Sequence, residues 1–472
     1  MKQRIYLFDL PTYPKGVLSL SLPAVAGCFP PQEFDVSIID LNFYGADYVP
    51  NLDQSAPLFF IGLKVSAQNF KYAKALSARL KKAHPAIPLI WGGELPTLLP
   101  DSCLQYADIV IQSMFETVAH DFIADLKAGA PKKIYTGSNN YPLSHITSPN
   151  LSAVSCINDY YSFMGLPLET SRGCTETCSF CMVHVMQKKN YNQKSKEQLR
   201  AELSNYKGRY VNVVDYNIGV DAGHVIAVAE VMKESAVNGW MAEMCIEMLD
   251  NDKVLKALSE SGCRIIYCGL EAIDEGAIKS IHKMNTNHIE NYERIIKKAQ
   301  SYGVQIAAGI ILAIDNTHES TFENLFRFFQ RTGIIYAKLT FLTYNPGAKV
   351  QHYMQKKGAF TTEEVELFDG NHLSYLPNGV NADVVYKGAE QFIRRFYSLS
   401  GIISRSLNVK MGLAKRLEYV LFNLCYRNVY LSWLGNNIFY SQEGFNALIE
   451  TPFKKGFTIK FAEYFLKLLR KP

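Results

Sequence analysis

No stretch of the 472 residues reaches the roughly 18 consecutive apolar residues that a membrane-spanning helix needs. The longest early uncharged stretch, Gly16 to Gln32, holds Ser19, Ser21 and Pro23 and follows a strand-like segment ending at Asp9. It is expected to be a buried first helix rather than a signal peptide. Cysteine is sparse: of ten, three cluster and seven scatter. That excludes a disulfide framework and favours a reduced, cytoplasmic setting with a metal site. Internal repeats and low-complexity tracts are absent, which excludes solenoids and fibrous chains. Charged residues make up 20% and hydrophobic residues 48%, so the chain is not disordered. The net charge of +5 is uneven. From Asn381 to the end there are 14 Lys and Arg against 6 Asp and Glu, an excess that can mark a partner-facing segment.

What is present is an α/β alternation. Ile5–Phe8, Val36–Ile39, Phe59–Leu63, Ile87–Ile90 and Ile109–Ile111 read as short buried strands, with helical stretches such as Tyr72–Ala83 and Glu116–Leu126 between them. This predicts a Rossmann-like, doubly wound parallel sheet over residues 1–140, with its ligand beyond the carboxyl ends of the strands. A Pro-, Ser- and Asn-rich linker follows, taken as 141–160. A second series then begins: Leu166–Ser171, Tyr210–Asp215, Trp240–Met248, Arg264–Leu270, Val304–Ile314 and Ile335–Thr343 read as strands. Six such units over 161–350 predict a partial (β/α)6 barrel with its site at the carboxyl ends. Residues 351–472 lose the alternation and read as helices rich in aromatic and basic residues.

The sharpest motif lies just after the first barrel strand: Ser171-Arg172-Gly173-Cys174-Thr175-Glu176-Thr177-Cys178-Ser179-Phe180-Cys181. Three thiols within eight residues let one loop wrap a cubane iron–sulfur cluster and leave its fourth iron open. Zinc is the competitor, but a structural zinc wants four protein ligands, and His184 is the only obvious local fourth. A buried, metal-free trio is the bland alternative.

Cys174-x-x-x-Cys178-x-Phe180-Cys181 resembles the radical S-adenosylmethionine (SAM) family, the aromatic Phe180 included. The resemblance implies a [4Fe-4S] cluster on Cys174, Cys178 and Cys181, with SAM chelating the open iron. It also implies a 5′-deoxyadenosyl radical that takes hydrogen from substrate, and an electron donor such as flavodoxin or ferredoxin. Other segments fit in order. Asp215 or Asn217, in Val214–Asp221, would contact the cofactor's amino group or the substrate; the alternative is a loop with Asp221 as a helix cap. Glu271, after Gly269-Leu270, would lie near the ribose, unless it is a surface glutamate on a turn. Gly309 and Ile311, in Gly309–Asp315, would lie along the adenine, although Ala313 stands where a glycine is usual. Asn345-Pro346-Gly347 matches a turn after the sixth strand.

The N-terminal region resembles the cobalamin-binding domain of the class B branch. Tyr13, Ser66, Gly92 and Gly93 would meet the corrin, small residues letting its tail run close to the backbone. There is no Asp-x-His-x-x-Gly, so no lower histidine ligand for cobalt is implied. Ser113-Met114-Phe115-Glu116 replaces the branch's Gly-Glu-Gly-Glu, and Met114 and Phe115 are expected to crowd the nucleotide tail. Glu94 replaces a small residue beside the glycine pair. Residues Phe392–Ser398 resemble the helical tail of hopanoid methylases and anaerobic porphyrin-ring cyclases.

These resemblances imply cobalamin-dependent C-methylation of an unactivated carbon in a small-molecule or lipid-like substrate. The alternative is a cobalamin-free rearrangement, cyclisation or oxidation with a degenerate N-terminal domain. A tRNA methylthiotransferase would need more N-terminal cysteines than Cys28 and Cys103, so no nucleic acid is expected. A bare electron carrier would not need Asp215, Asn217 and Glu271 at strand ends. The basic tail, with Tyr430, Trp433, Phe439, Tyr440 and an amphipathic last helix Ile459–Leu469, is expected to suit a membrane surface. No substrate-facing proton donor or acceptor can be named; Tyr216, His184 and His282 are as plausibly structural.

Overall fold

The computed structural model describes the chain apart from residues 1, 14, 46–47, 49–51, 53–54, 188–189, 285–286, 316, 344–347, 349, 436–441, 457–459 and 461–472, and apart from the side chains of 352–353, 432–433, 435 and 442–443. The Asn345-Pro346-Gly347 turn, Phe439, Tyr440, the side chain of Trp433 and nearly all of 459–469 lie outside the described residues.

The first sheet is parallel throughout. Its strands are β1 (Gln3–Asp9), β2 (Phe34–Asp40), β3 (Leu58–Lys64), β4 (Leu89–Gly92), β5 (Ile109–Gln112) and β6 (Ile134–Thr136), in the order 2-1-3-4-5-6. Near-continuous apolar runs such as Leu58-Phe59-Phe60-Ile61 form its centre because both faces are covered. The chain crosses β1 to reach β3, so the loops after those two strands flank the topological switch point. Strand β6 was missed, being only three residues long. The expected first helix shortens to Ser21–Gly27, since a Pro-, Gly- and Ser-punctuated stretch cannot sustain more turns.

The linker is packed rather than free. Val154 bridges Ile38 of β2, and the Tyr160 hydroxyl donates to Asp40 at 2.5 Å.

The second sheet runs β7 (Leu166–Leu168), β10 (Tyr210–Val213), β11 (Gly239–Glu243), β12 (Cys263–Glu271), β13 (Gln305–Leu312) and β14 (Tyr336–Phe341), side by side and parallel. Helices such as Asp252–Glu260, Ile289–Ser301 and Glu319–Thr332 connect them. The expected strand Leu166–Ser171 is two: β7 ends at Leu168, and β8 (Ser171–Gly173) pairs antiparallel with β9 (Tyr191–Gln193). That pair carries the chain out of the sheet into the cysteine loop. The expected strand Trp240–Met248 stops at Glu243 and gives way to a tight helical turn, Ile246–Asp250. The C-terminal region is helical, as expected, except for one antiparallel pair, β15 (Gly358–Phe360) and β16 (Tyr375–Pro377).

Candidate active site

The cysteine loop is held from three sides. Ser179 Oγ donates to the carbonyl of Ile281 at 2.9 Å, and the Ser179 carbonyl accepts from the amide of Val350 at 2.8 Å. Phe180 packs into an apolar cluster that includes Ile311 of β13. The loop is thereby pressed against the carboxyl end of the barrel. Cys178 is buried and Cys174 and Cys181 are half-buried; burial pushes the Cys178 thiol up to about 12. Among the described residues, no three His, Cys, Asp or Glu side chains close around one point as a single ion requires. A four-ligand zinc site therefore has no cage here. A cubane spreads its thiolates over separate corners, which suits one open loop.

Asn217 sits beside this loop. Its Nδ2 donates to Cys245 Sγ at 2.9 Å and approaches Cys174 Sγ at 3.9 Å, while its Oδ1 accepts from the amides of Gly219 and Cys245. Asp215 is spent on its own surroundings. It accepts from the Thr170 amide at 2.7 Å, from Thr170 Oγ1 at 2.5 Å and from Ser171 Oγ at 2.6 Å. Burial pushes its carboxyl up to about 7 against those bonds. Its visible work is to fix the turn from β7 into β8. Asp221 caps the helix Ala222–Glu234 through the Gly223 amide at 2.8 Å.

Glu271 is buried and holds φ 63°, a left-handed conformation that is costly for a residue with a Cβ. Its Oε1 meets Lys283 Nζ at 2.5 Å, and Lys283 also donates to the Gly269 carbonyl. It is therefore no surface glutamate. Lys283 lies over the Phe180 ring, 6.0 Å from its centroid, so its charge reaches the cysteine loop. Sequence reasoning missed Lys283 and Cys245; no motif flagged either. Gly309 leaves room for the Tyr267 side chain: a Cβ there would stand 2.3 Å from its hydroxyl, so Tyr267 would have to shift. Ala313, in the usual glycine's place, itself adopts φ 58° and is fully buried. The left-handed turn survives the substitution.

The concave face of the barrel carries two further charges. Glu243 ends β11 and Lys338 lies on β14; both face away from the packed side into which their neighbours Ala242 and Leu339 point. Neither has a hydrogen-bond partner among the described residues. Enclosure pushes the Glu243 carboxyl up to about 7, partly offset by Lys338.

At the first sheet, the switch point is lined as its topology demands. The Tyr13 amide donates to Gln68 Oε1 at 2.7 Å, and Gln68 Nε2 returns to the Tyr13 carbonyl at 3.3 Å. Ser66, half-buried, opens the turn after β3. Gly93 is exposed and holds φ 114°, and a Cβ on it would stand 2.7 Å from the Val65 carbonyl oxygen. Small residues thus leave backbone bare along the crevice. Met114 and Phe115 do not crowd it, which corrects the expectation. Both are buried, Phe115 packing on Phe29 and Phe122 in the core. Ser113 supplies the positive φ, 66°, that a glycine would otherwise give. The residues present fit a corrin.

Glu116, the last of that departing tetrapeptide, reaches Arg172 at 2.9 Å. Arg172 also grips Glu169 with two bonds, at 2.7 and 2.8 Å. Burial works against its charge, but the two carboxylates more than offset that cost. Arg172 stands two residues before Cys174. One half-buried ion cluster therefore ties the crevice of the first sheet to the cysteine loop of the second.

Residues 168–329 match the radical SAM superfamily, and residues 13–122 match the B12 binding domain. The chain carries a radical SAM domain behind a B12 binding domain. It is 23% identical over 405 residues to the bacteriochlorophyllide d C-12(1)-methyltransferase of Chlorobaculum tepidum, covering 83% of this chain and 88% of that one. It is 21% identical over 365 residues to the hopanoid C-2 methylase of Rhodopseudomonas palustris, covering 74% and 66%. In fold, the chain resembles the cobalamin-dependent SAM radical enzyme OxsB with aqua-cobalamin and SAM bound. The TM-score is 0.65 at 15% identity, over 99% of this chain and 80% of that one.

Proposed function

We propose that this radical SAM enzyme uses cobalamin to methylate an unactivated carbon of a small-molecule or lipid-like substrate. The carrying observation is the Glu116–Arg172–Glu169 cluster, which locks the corrin crevice to the loop that would hold the iron–sulfur cluster. With their groups bound, the two sites supply hydrogen abstraction and a methyl group, respectively. Cys174, Cys178 and Cys181 would ligate the cluster. Phe180, Asn217, Glu271, Gly309 and Ile311 border the space for SAM, with Lys283 fixing the strained Glu271 carboxylate. Asp215 acts on this site through Thr170 and Ser171. Tyr13, Ser66, Gly92 and Gly93 would shape the corrin cradle. Glu243 and Lys338 are left for the substrate: a guest with polar or acidic groups on an otherwise apolar frame would pair them. Methylating relatives that act on a chlorin and on a hopanoid support this substrate class. A reduced flavodoxin or ferredoxin is the kind of donor such a cluster needs.

The test is anaerobic reconstitution with iron, sulfide and hydroxocobalamin, then desalting and visible spectroscopy. Corrin absorbance retained at one per chain beside the cluster band is the expected result. A cluster without corrin would overturn the cobalamin assignment.

A further inference from the structure

The C-terminal region was expected to meet a membrane through its aromatic residues. Tyr430 does not fit that part. It is buried, stacked on Tyr397 with centroids 4.6 Å apart, and its hydroxyl donates to the Ala337 carbonyl at 3.1 Å. It braces β14 instead.

A different surface stands out. Helix Leu399–Leu407 buries Gly401, Ile402, Arg405 and Ser406 against the body of the protein. Its other side exposes Leu399 (57%), Ile403 (53%) and Leu407 (65%). Spacings of four put these three on one face. Leu413, the first residue of the next helix (Leu413–Gly435), is 84% exposed. Exposed large aliphatic side chains gathered this way are uncommon on a water-facing surface. The presentation is firm. Ser398 caps the helix through the Gly401 amide at 3.0 Å, and Arg416 closes its other end by donating to the Ser406 carbonyl.

The segment of chain that carries this stripe, between Glu390 and Glu418, holds charges of one sign. From Gln391 to Leu417 there are six Lys and Arg and no Asp or Glu. Arg405 is buried, and Arg394 and Arg395 are paired with Glu390 and Glu323. Lys410 and Lys415 are exposed beside Leu407 and Leu413. An apolar ridge edged by cations matches a bilayer bearing anionic headgroups. A two-fold contact with a second copy would set these same cations against each other. We infer that the helix Leu399–Leu407 and Leu413, at the start of the next helix, form a docking surface for an anionic lipid membrane.

The surface lies at the far end of the barrel from the cysteine loop. Asn408 Nδ2 donates to the Gln330 carbonyl, and Val409 packs on Gly333, just before β14 begins. Docking therefore leaves the cofactor end of the strands turned away from the lipid.

The test is co-flotation of the full-length reconstituted protein with phosphatidylcholine vesicles, with and without phosphatidylglycerol. Binding to the anionic vesicles only is expected. Ile403→Asp with Leu407→Asp, and separately Lys410→Glu with Lys415→Glu, should each weaken it by about tenfold or more. All four positions are exposed, so circular dichroism and the cluster band should be unchanged. Failure to float with anionic vesicles would overturn the inference, as would variants that float like the parent. So would size-exclusion showing a dimer that the leucine-face variants convert to monomer, because the stripe would then belong to a second copy.

Discussion

The two parallel sheets end in carboxyl edges of opposite character. At the first sheet Asp9 pairs with Lys64 at 2.9 Å, Tyr160 with Asp40, and Tyr13 with Gln68, and burial raises the Glu94 carboxyl beside the glycine pair, with Lys64 partly offsetting that. What remains open there is bare backbone at Gly92 and Gly93. At the second sheet Glu243 and Lys338 have no hydrogen-bond partners among the described residues and only partly offset each other, and Glu271 is held in a strained turn. One edge is a shaped cradle for a large group that brings its own chemistry. The other keeps charges uncommitted, so that a guest must supply their partners. A protein that joins both kinds through one half-buried arginine can bind two unlike ligands at a fixed mutual position.

The comparison breaks most completely at the cysteine loop. Cys178→Ala should lose the iron–sulfur band and all activity while keeping corrin, as visible spectra would show. Next comes the joint between the edges. Arg172→Met leaves Glu116 and Glu169 half-buried and uncompensated, and should cost about 3 kcal/mol in denaturant unfolding. A loss within about 0.5 kcal/mol would mean that the two edges do not depend on that joint. Lys338→Met should lower kcat/KM by about 100-fold with both chromophores retained, because only the guest's partner is gone. Equal losses of cofactor and activity would place Lys338 in a cofactor site instead. Gly93→Val should cost about 2 kcal/mol and abolish corrin retention with the iron–sulfur band intact, since φ 114° and the Val65 carbonyl leave no room for its side chain.

The smallest effect concerns pH. Burial lowers His224, which shares Thr170 with Asp215, from 6.5 to about 4. Below pH 6.5 the unfolded chain takes up a proton that the folded chain refuses until about pH 4. Its contribution to stability is therefore complete above 6.5 and is lost as the pH falls through that window. Asp215, with its raised pKa, acts in the opposite sense in both proteins. Between pH 6.5 and 5.5 the parent should lose about 1 kcal/mol more unfolding free energy than His224→Gln, as denaturant titrations at the two pH values would show. Equal losses would show that the imidazole is not excluded from protonation.

What could be read from the sequence alone was local. Apolar runs placed five strands of the first sheet, and the thiol spacing marked the cysteine loop. The switch-point residues Tyr13 and Ser66 came from the resemblance to a cobalamin-binding domain, not from those runs. What escaped was long-range or backbone-borne. Glu116 and Arg172 are 56 residues apart, and no periodicity announces their pairing. Ser113 and Ala313 take left-handed conformations that glycine would have signalled. Met114 and Phe115 looked obstructive because a one-dimensional pattern does not say which face of the sheet a side chain enters. The stripe on Leu399–Leu407 was hidden because four-residue spacing of leucines reads as core until the other face is seen to be buried.

Lys15 draws out one consequence in time rather than in space. In the loop after β1, its ammonium is buried against the carbonyls of Ile449, at 2.5 Å, and Thr451. Burial lowers its pKa to about 8, with Asp40 partly opposing that. The two ends of this clasp are 434 residues apart. The first sheet leaves the ribosome early, yet Lys15 in the loop that borders its crevice lacks these carbonyls until residues 449–451 have been made. Cofactor capture thus becomes a late event in the life of the polypeptide, and a nascent or truncated chain offers only an unlatched cradle.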